Sequence, residues 1–356
     1  MTSLKDRLKA EIAEGGPISV ADYMLRCLHD PQGGYYATRP ALGAEGDFIT
    51  APLVSQMFGE LIGLWAVETW SRMGRPARFV LAEMGPGDGA LMIDMLRAAR
   101  LAPEFLAAAE LWLVETSAAL RAAQADRLAA SPLKPQWASR LIELPRAPLI
   151  LVANELLDCL PALQFMRTAT GWAERRVGLD AEGELAFGLA PSIRPGDLDP
   201  EAPLGVVWEL SAAQESLGAD IGALVKSRGG AALFIDYGRA ERGPGDTLQA
   251  LRRHQKVDPL ACPGEADLTM WADFPGFLDG ARSSGAHATA CLPQGAFLRR
   301  LGLDQRAEAL MRARPDRAET IAAQRARLAE PDQMGQLFKA CVVHSPGLTP
   351  PGFEET

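Results

Sequence analysis

Positive charge is in short supply in this chain of 356 residues: 36 Lys and Arg stand against 45 Asp and Glu, a formal net charge of −9. A protein that grips nucleic acid through its phosphates needs a basic footprint, so the balance argues against a non-specific nucleic-acid binder. The one Arg-rich stretch, Arg299 to Arg327, interleaves its cations with acids at helical spacing and reads as a solvated helix face. Cysteine is also scarce. The five residues Cys27, Cys159, Cys262, Cys291 and Cys341 are far apart, odd in number and never form C-x-x-C. That pattern excludes a disulfide framework or a zinc site, so no metal is expected and the thiols read as reduced, in a cytoplasmic protein. No apolar run reaches the length of a membrane span. The N-terminal segment from Met1 to Lys9 begins an amphipathic helix with an acid in it, lacking the apolar core of a signal peptide and the composition of a transit peptide.

What is present is ordinary in bulk, with 48% hydrophobic and 23% charged residues, and long enough for one large α/β domain with insertions or for two domains. The chain is organised around residues 79–91. An apolar run with the length of a buried parallel strand, Phe79-Val-Leu-Ala, ends in Glu83; Gly85, Gly87 and Gly89 follow at alternate positions, and a helical period runs from Ala90 to Arg100. Strand, glycine turn and helix in this order let a backbone approach a ligand closely at a helix N-terminus. A glycine turn that holds no ligand is the structural alternative. The dinucleotide fingerprint G-x-G-x-x-G would need glycine where the chain has Ala90, and no Tyr-x-x-x-Lys set appears, which argues against an NAD-dependent oxidoreductase of the same topology. The E-x-G-x-G-x-G spacing instead resembles the first motif of class I S-adenosylmethionine methyltransferases. That resemblance implies a turn passing under the methionine part of the cofactor, with Glu83 beside its ammonium group.

Residues 4–14 read as a helix stopped by Gly15-Gly16-Pro17, and Ser19 as the N-cap of a second, Val20 to Leu28. A glycine-rich loop from Leu42 to Pro52 is either a lid or a connector, with Asp47 and Thr50 as candidate lid residues over a cofactor. Residues 53–73 form an apolar helix, and strand–helix alternation then begins, implying a parallel sheet. Strands are expected at 78–83, 111–115, weakly at 141–144, and at 148–155, with 101–109 extending the helix between the first two and a helical period over 155–162. Glu115 ends the second strand, where such folds place an acid on the ribose hydroxyls, or else it is a surface carboxylate opening a helix. Asn154 and Glu155 end the fourth strand at the carboxyl edge of the sheet, where open α/β sheets bind ligands. From Leu163 the pattern becomes an antiparallel meander, with a linker from Ala190 to Pro203. A helix from Ser211, a fifth strand ending in Asp236-Tyr237-Gly238, and a long irregular loop over 239–275 follow. A helix to Ser284, a strand near 286–292, helices over 304–329, a last strand to His344 and a loose tail complete the chain.

Several stretches together resemble one family, the MidA-type methyltransferases, whose mitochondrial members assist assembly of respiratory complex I by methylating an arginine. They are Gly46-Asp-Phe-Ile-Thr-Ala-Pro52, Gln56-Met-Phe-Gly-Glu60, Glu83 to Gly89, Ala153 to Asp158 with Leu160-Pro161, Asp236-Tyr-Gly238, and Gly264-Glu-Ala-Asp267-Leu-Thr269. The chain departs from the mitochondrial members at Asp88, where they carry Arg, and at Met84, where Leu is more usual. The resemblance implies an α/β, Rossmann-like class I fold: a mostly parallel sheet with helices on both faces, an N-terminal helical extension and an inserted meander. Its expected division is 1–75 helical and lid region, 76–162 first half of the cofactor domain, 163–205 meander, 206–238 the domain continued, 239–285 substrate-side loop and helix, 286–345 completing the sheet, and 346–356 tail. It also implies S-adenosyl-L-methionine as cofactor, held by Glu83, Gly85, Gly87, Gly89, Glu115 and Asn154, and a protein arginine as substrate, plausibly on a complex I subunit. A guanidinium stays charged, so a carboxylate that grips it would both position it and draw charge from the attacking nitrogen. Glu155, Asp158 and Asp236, with Asp267, are the candidates, Glu155 first; its other reading is a helix N-terminal charge. A non-catalytic scaffold that binds a partner through residues 163–275 is the alternative to an enzyme.

Overall fold

Short apolar runs, each followed by a helix, assemble the centre of the molecule as a sheet covered on both faces. The computed structural model describes residues 2–38, 50–192 and 198–354. Strands β1 (Phe79–Met84), β2 (Ala109–Val114), β3 (Gln136–Ala138), β4 (Leu149–Asn154) and β5 (Gly230–Arg239) run parallel, and β6 (Phe338–His344) is antiparallel to β5. Their spatial order is β3-β2-β1-β4-β5-β6. The chain therefore steps outward from β1 to β3, returns to β4 on the other side of β1, and leaves a crevice at the carboxyl ends of β1 and β4, where the strand order reverses.

Alternate side chains of each strand enter opposite layers. Leu81, Ile150, Val152, Leu233 and Ile235 pack under helices α3 (Gln56–Arg72) and α4 (Ala90–Ala99) and the later helices 294–300, 303–313 and 318–329. Val80, Ala82, Leu149, Leu151, Ala232 and Phe234 meet α6 (Ala212–Arg228) and α7 (Phe274–Ser283) on the other face. Burial on both sides is why β1, β4 and β5 read as unbroken apolar runs. Helix α5 (Ala118–Arg127) follows β2 and turns only Leu120 and Gln124 fully inward. Helices α1 (Leu4–Gly15) and α2 (Val20–His29) form a third cluster; Ser19 caps α2 by accepting from the Asp22 amide at 2.9 Å. Among the described residues no helix is long and apolar enough to cross a membrane.

A separate antiparallel sheet holds strands Leu163–Thr168, Gly171–Leu179 and Leu185–Pro191. It gains a strand that the sequence reading left within the α/β domain, Val207–Leu210, paired with the first of these, and a two-residue strand, Ile18–Ser19, paired with the second. Residues 239–275 are not irregular: Gln249–Arg252, Gln255–Val257 and Asp267–Thr269 form a small sheet. Its hairpin turn puts Arg253 and His254 at φ 53° and 61°, a left-handed pair usually signalled by Asn-Gly, so the turn is not readable from these residues.

Other expectations give way as well. Residues 141–143 form a single 3-10 turn, and the edge strand is Gln136–Ala138 instead. The helix expected from 53 breaks at Ser55 (φ −162°), whose Oγ accepts from the Met57 amide and starts α3. The piece 101–109 is its own short helix, Pro103–Ala108, and 286–292 contributes only the two-residue strands His287–Ala288 and Leu292–Pro293. No helix follows β4: Glu155 sits at φ 53° and the chain turns to Leu160. The end of the chain is packed, with Leu348 buried, Phe353 5.2 Å from the Phe297 ring, and Glu354 paired with Arg72 at 2.6 Å.

Candidate active site

A cleft of about 320 Å³ opens at the switch point, between the turns that follow β1, β2 and β4. Its floor is the glycine turn. Gly85, Gly87 and Gly89 have φ of 66°, 54° and 86°, a region closed to most side chains, and a Cβ on Gly85 would stand 2.9 Å from Leu156 Cδ1. The turn is latched by Gly85 N to Val114 O (3.1 Å) and Gly89 N to Pro86 O (2.8 Å). Asp88, just before the Gly89 N-cap of α4, accepts from the Ala90 amide at 3.0 Å and pairs with Arg127 at 2.5 Å.

Glu83 lies beneath this turn, 2% exposed, and its Oε2 has no hydrogen-bond partner among the described residues. Burial, with Asp88 adding, pushes its carboxyl well above the usual range. A buried, unpartnered carboxylate oxygen beside a backbone cradle fits a ligand that brings a cation, as the ammonium of a methionine moiety would. Asn154 Oδ1 is likewise buried and unpartnered, while its Nδ2 donates to Glu155 at 2.8 Å.

Glu115 stands across the cleft at the end of β2. Its Oε1 accepts from the Thr116 and Ser117 amides, both at 2.7 Å, and its Oε2 faces Gln124 Nε2 at 3.4 Å. Ser117 caps α5, so Glu115 precedes the helix and also lines the cleft.

The acceptor-side candidates do not share one environment. Glu155, on its left-handed backbone, accepts two hydrogen bonds at Oε1, from Asn154 Nδ2 and from the Ala51 amide at 3.1 Å. Burial raises it to about 7 and Asp158 to about 7 as well, with the charge of Glu155 contributing to the latter. Both line the cleft, as does Asp267, which accepts from Tyr36 Oη at 3.0 Å. Asp236 does not line it. It is 1% exposed; Oδ2 accepts from the Leu157 and Asp158 amides (2.7 and 3.2 Å) and Oδ1 from the Tyr237 amide (2.8 Å), so it braces the turn that carries Glu155 and Asp158. Thr50 reaches the cleft wall, whereas Asp47 lies outside the described residues. The sequence reading did not assign His29, Tyr36, Gln124 or Cys159 to the cleft or its support; Gln124 was visible only as a polar residue one turn after Leu120 on an inward helix face.

A roomier depression of about 490 Å³ lies between α3 and the chain's last residues, but its Arg72 is already paired with Glu68 and Glu354. The chemistry converges on the switch-point cleft. Among the described residues that line it are six carboxylates (Glu83, Asp88, Glu115, Glu155, Asp158 and Asp267) and no lysine or arginine.

This combination of switch-point cleft, glycine turn and buried acid belongs to enzymes that bind a nucleoside with a cationic amino-acid tail. Residues 61–290 match the family described as "Putative S-adenosyl-L-methionine-dependent methyltransferase". The Drosophila melanogaster protein named "Protein arginine methyltransferase NDUFAF7 homolog, mitochondrial" is 34% identical over 95% of this chain and 84% of its own length. The Danio rerio protein arginine methyltransferase NDUFAF7, also named mitochondrial, is 33% identical over 95% of this chain and 86% of its own. A crystal structure from Burkholderia thailandensis, bound to S-adenosyl-homocysteine, superposes with a TM-score of 0.83 at 26% identity, covering 99% of this chain and 93% of that one. The chain belongs to this family and is an S-adenosyl-L-methionine-dependent methyltransferase.

Proposed function

We propose that the enzyme methylates an arginine of a protein partner on a Rossmann-like class I frame. The observation that carries this reading is the cleft wall itself: among the described residues that line it, carboxylates in number and no lysine or arginine, which suits a cationic acceptor. The names of the two relatives point the same way. In this reading the segments 76–162, 206–238 and 286–345 hold the cofactor, and 163–205 with 239–285 build the side from which the partner enters, with 1–75 closing over it and 346–356 as tail. Strand Val207–Leu210 extends the partner side to Leu210.

Glu83 takes the ammonium, the turn at Gly85, Gly87 and Gly89 supports the amino-acid part, Asn154 offers Oδ1 beside it, Glu115 takes the ribose hydroxyls, and Thr50 closes over them from the cleft wall. When bound, S-adenosyl-L-methionine supplies an electrophilic methyl group on a sulfonium. Glu155 and Asp158 hold the guanidinium so that one nitrogen faces that methyl, localise positive charge away from it, and accept the proton released as the N–C bond forms and the S–C bond breaks, the electron pair staying on sulfur and S-adenosyl-homocysteine leaving. Asp267, oriented by Tyr36, adds a third anion, and Asp236 keeps the turn in shape. The partner proposed is a respiratory complex I subunit, and the place of action the cytoplasm. Radiolabelled methyl transfer to a proteome from cells lacking the protein, followed by sequencing of the labelled peptide, tests this. Label on arginine is expected. Label confined to RNA or small molecules would reject the acceptor while leaving the methyltransferase in place.

A further inference from the structure

We propose that Gln124 is a positioning residue of the cofactor site: its buried amide ties the glycine turn to the Glu115 carboxylate and so sets the span between the two halves of the cleft. The inference rests on the reading that Glu115 takes the ribose hydroxyls.

Three strand ends meet at this one side chain. Trp137, from the edge strand β3, donates Nε1 to Gln124 Oε1 at 2.8 Å. An indole nitrogen can only donate, so this bond fixes which way the amide points. The NH2 half is then aimed at the turn after β1, where it donates to Gly87 O at 2.7 Å, and at the end of β2, where it faces Glu115 Oε2 at 3.4 Å. Gln124 is 0% exposed, on the inward face of α5 one turn after Leu120. A leucine would fill that space without the cost of drying an amide, so packing alone does not account for a glutamine here.

The contacts also divide the Glu115 oxygens between tasks. Oε1 is saturated by the Thr116 and Ser117 amides, which leaves Oε2 for Gln124 and the ligand. Burial raises the Glu115 carboxyl, and those amides, with Gln124, pull it back toward the ionised form that best accepts from hydroxyls. Losing the Gln124 donor would thus loosen the turn carbonyl and make the carboxylate harder to ionise. Gln124→Glu goes further, because it sets an anion against both Glu115 and a carbonyl oxygen.

The test is calorimetric titration of the full chain with S-adenosyl-homocysteine over a pH series. Gln124→Leu is expected to weaken binding about tenfold or more while thermal unfolding stays cooperative, and to move the acid limb of the affinity profile to higher pH. Gln124→Glu should be weaker still. In a Glu115→Gln background the added effect of Gln124→Leu should shrink, since the two residues act through one contact. Trp137→Phe frees the amide to rotate without removing it, and should show a smaller loss of the same kind. Three outcomes overturn the proposal: a folded Gln124→Leu binding within about twofold of the native chain; equal weakening in both backgrounds with no pH shift, which marks a packing role; or, if Gln124→Leu does not fold, unchanged affinity in Trp137→Phe. Unchanged affinity in Glu115→Gln would remove the ribose reading, and this inference with it.

Discussion

Replacing Glu155 by Gln separates function from stability in a way the structure lets one calculate. The carboxylate uses Oε1 for the Ala51 amide and Asn154 Nδ2, and among the described residues no hydrogen bond to Oε2 competes with a ligand in the cleft. A glutamine keeps those bonds with its carbonyl oxygen and then presents an NH2, a donor, where a guanidinium needs an acceptor. Two charge-assisted hydrogen bonds at ~1.5–3 kcal/mol each translate into a loss of ~10²–10⁴ in kcat/KM. S-adenosyl-homocysteine affinity should stay within about threefold if, as proposed, the contact removed is to the acceptor. Stability should move the other way. Burial lifts Glu155 from 4.5 to about 7, so its ionisation opposes folding. The opposition is absent below pH 4.5, grows between pH 4.5 and about 7, and is constant above. The full shift corresponds to a ceiling of ~3 kcal/mol, and screening through the open side of the cleft reduces it to ~1–2 kcal/mol. Urea unfolding at pH 5 and pH 8 reads this directly: Glu155→Gln should exceed the native chain only slightly at the lower pH and clearly at the higher. A variant that unfolds earlier than native at pH 8, or keeps native turnover, refutes the reasoning.

Native turnover should itself rise with pH through about 7, the value to which burial raises both Glu155 and Asp158; a flat profile between pH 6 and 8 would remove both from the chemistry. Gly87→Val puts a β-branched residue at φ 54°, and is expected to abolish S-adenosyl-homocysteine binding in calorimetry while circular dichroism shows a folded chain. Replacing all five cysteines should leave transfer intact in the labelling assay, because burial pushes the Cys159 thiol up and its hydrogen goes to Leu156 O; loss of transfer with cofactor still bound would implicate a thiol. Glu209→Ala strands the Thr247 amide and hydroxyl and leaves Gln164 Nε2 only Asp246 of its two acceptors, and should cost ~2–4 kcal/mol in denaturant unfolding.

The central sheet was legible because its strands are buried on both faces, and continuous apolar runs ending in Glu83, Glu115, Asn154 and Asp236 can hardly be anything else. The glycine turn was legible because three glycines at alternate positions mark a backbone at positive φ, which glycine adopts most readily. What escaped depends on contacts distant in sequence. Val207–Leu210 is a strand only because Leu163–Thr168 lies beside it, and Arg253-His254 turns without any turn residue. Asp236 and Asp267 look alike in sequence, yet one accepts three backbone amides inside the protein and the other faces the cleft. The alternative reading of Glu155 as a helix start falls with its positive φ, which removes the helix.

The Glu209 network has a consequence for building hybrids. Glu209 lies on the strand that completes the meander sheet, and its oxygens take Thr247 and Gln164 while Gln164 also donates to Asp246, which Arg175 pairs from the meander's second long strand. The meander and the 239–275 segment are thus stitched into one exchangeable cassette although α6 and β5 separate them in the chain. A chimera that imports only one of the two from a relative inherits half of each bond, and should be poorly soluble whatever its acceptor preference. Importing both should carry partner choice across while the host keeps its own cofactor affinity.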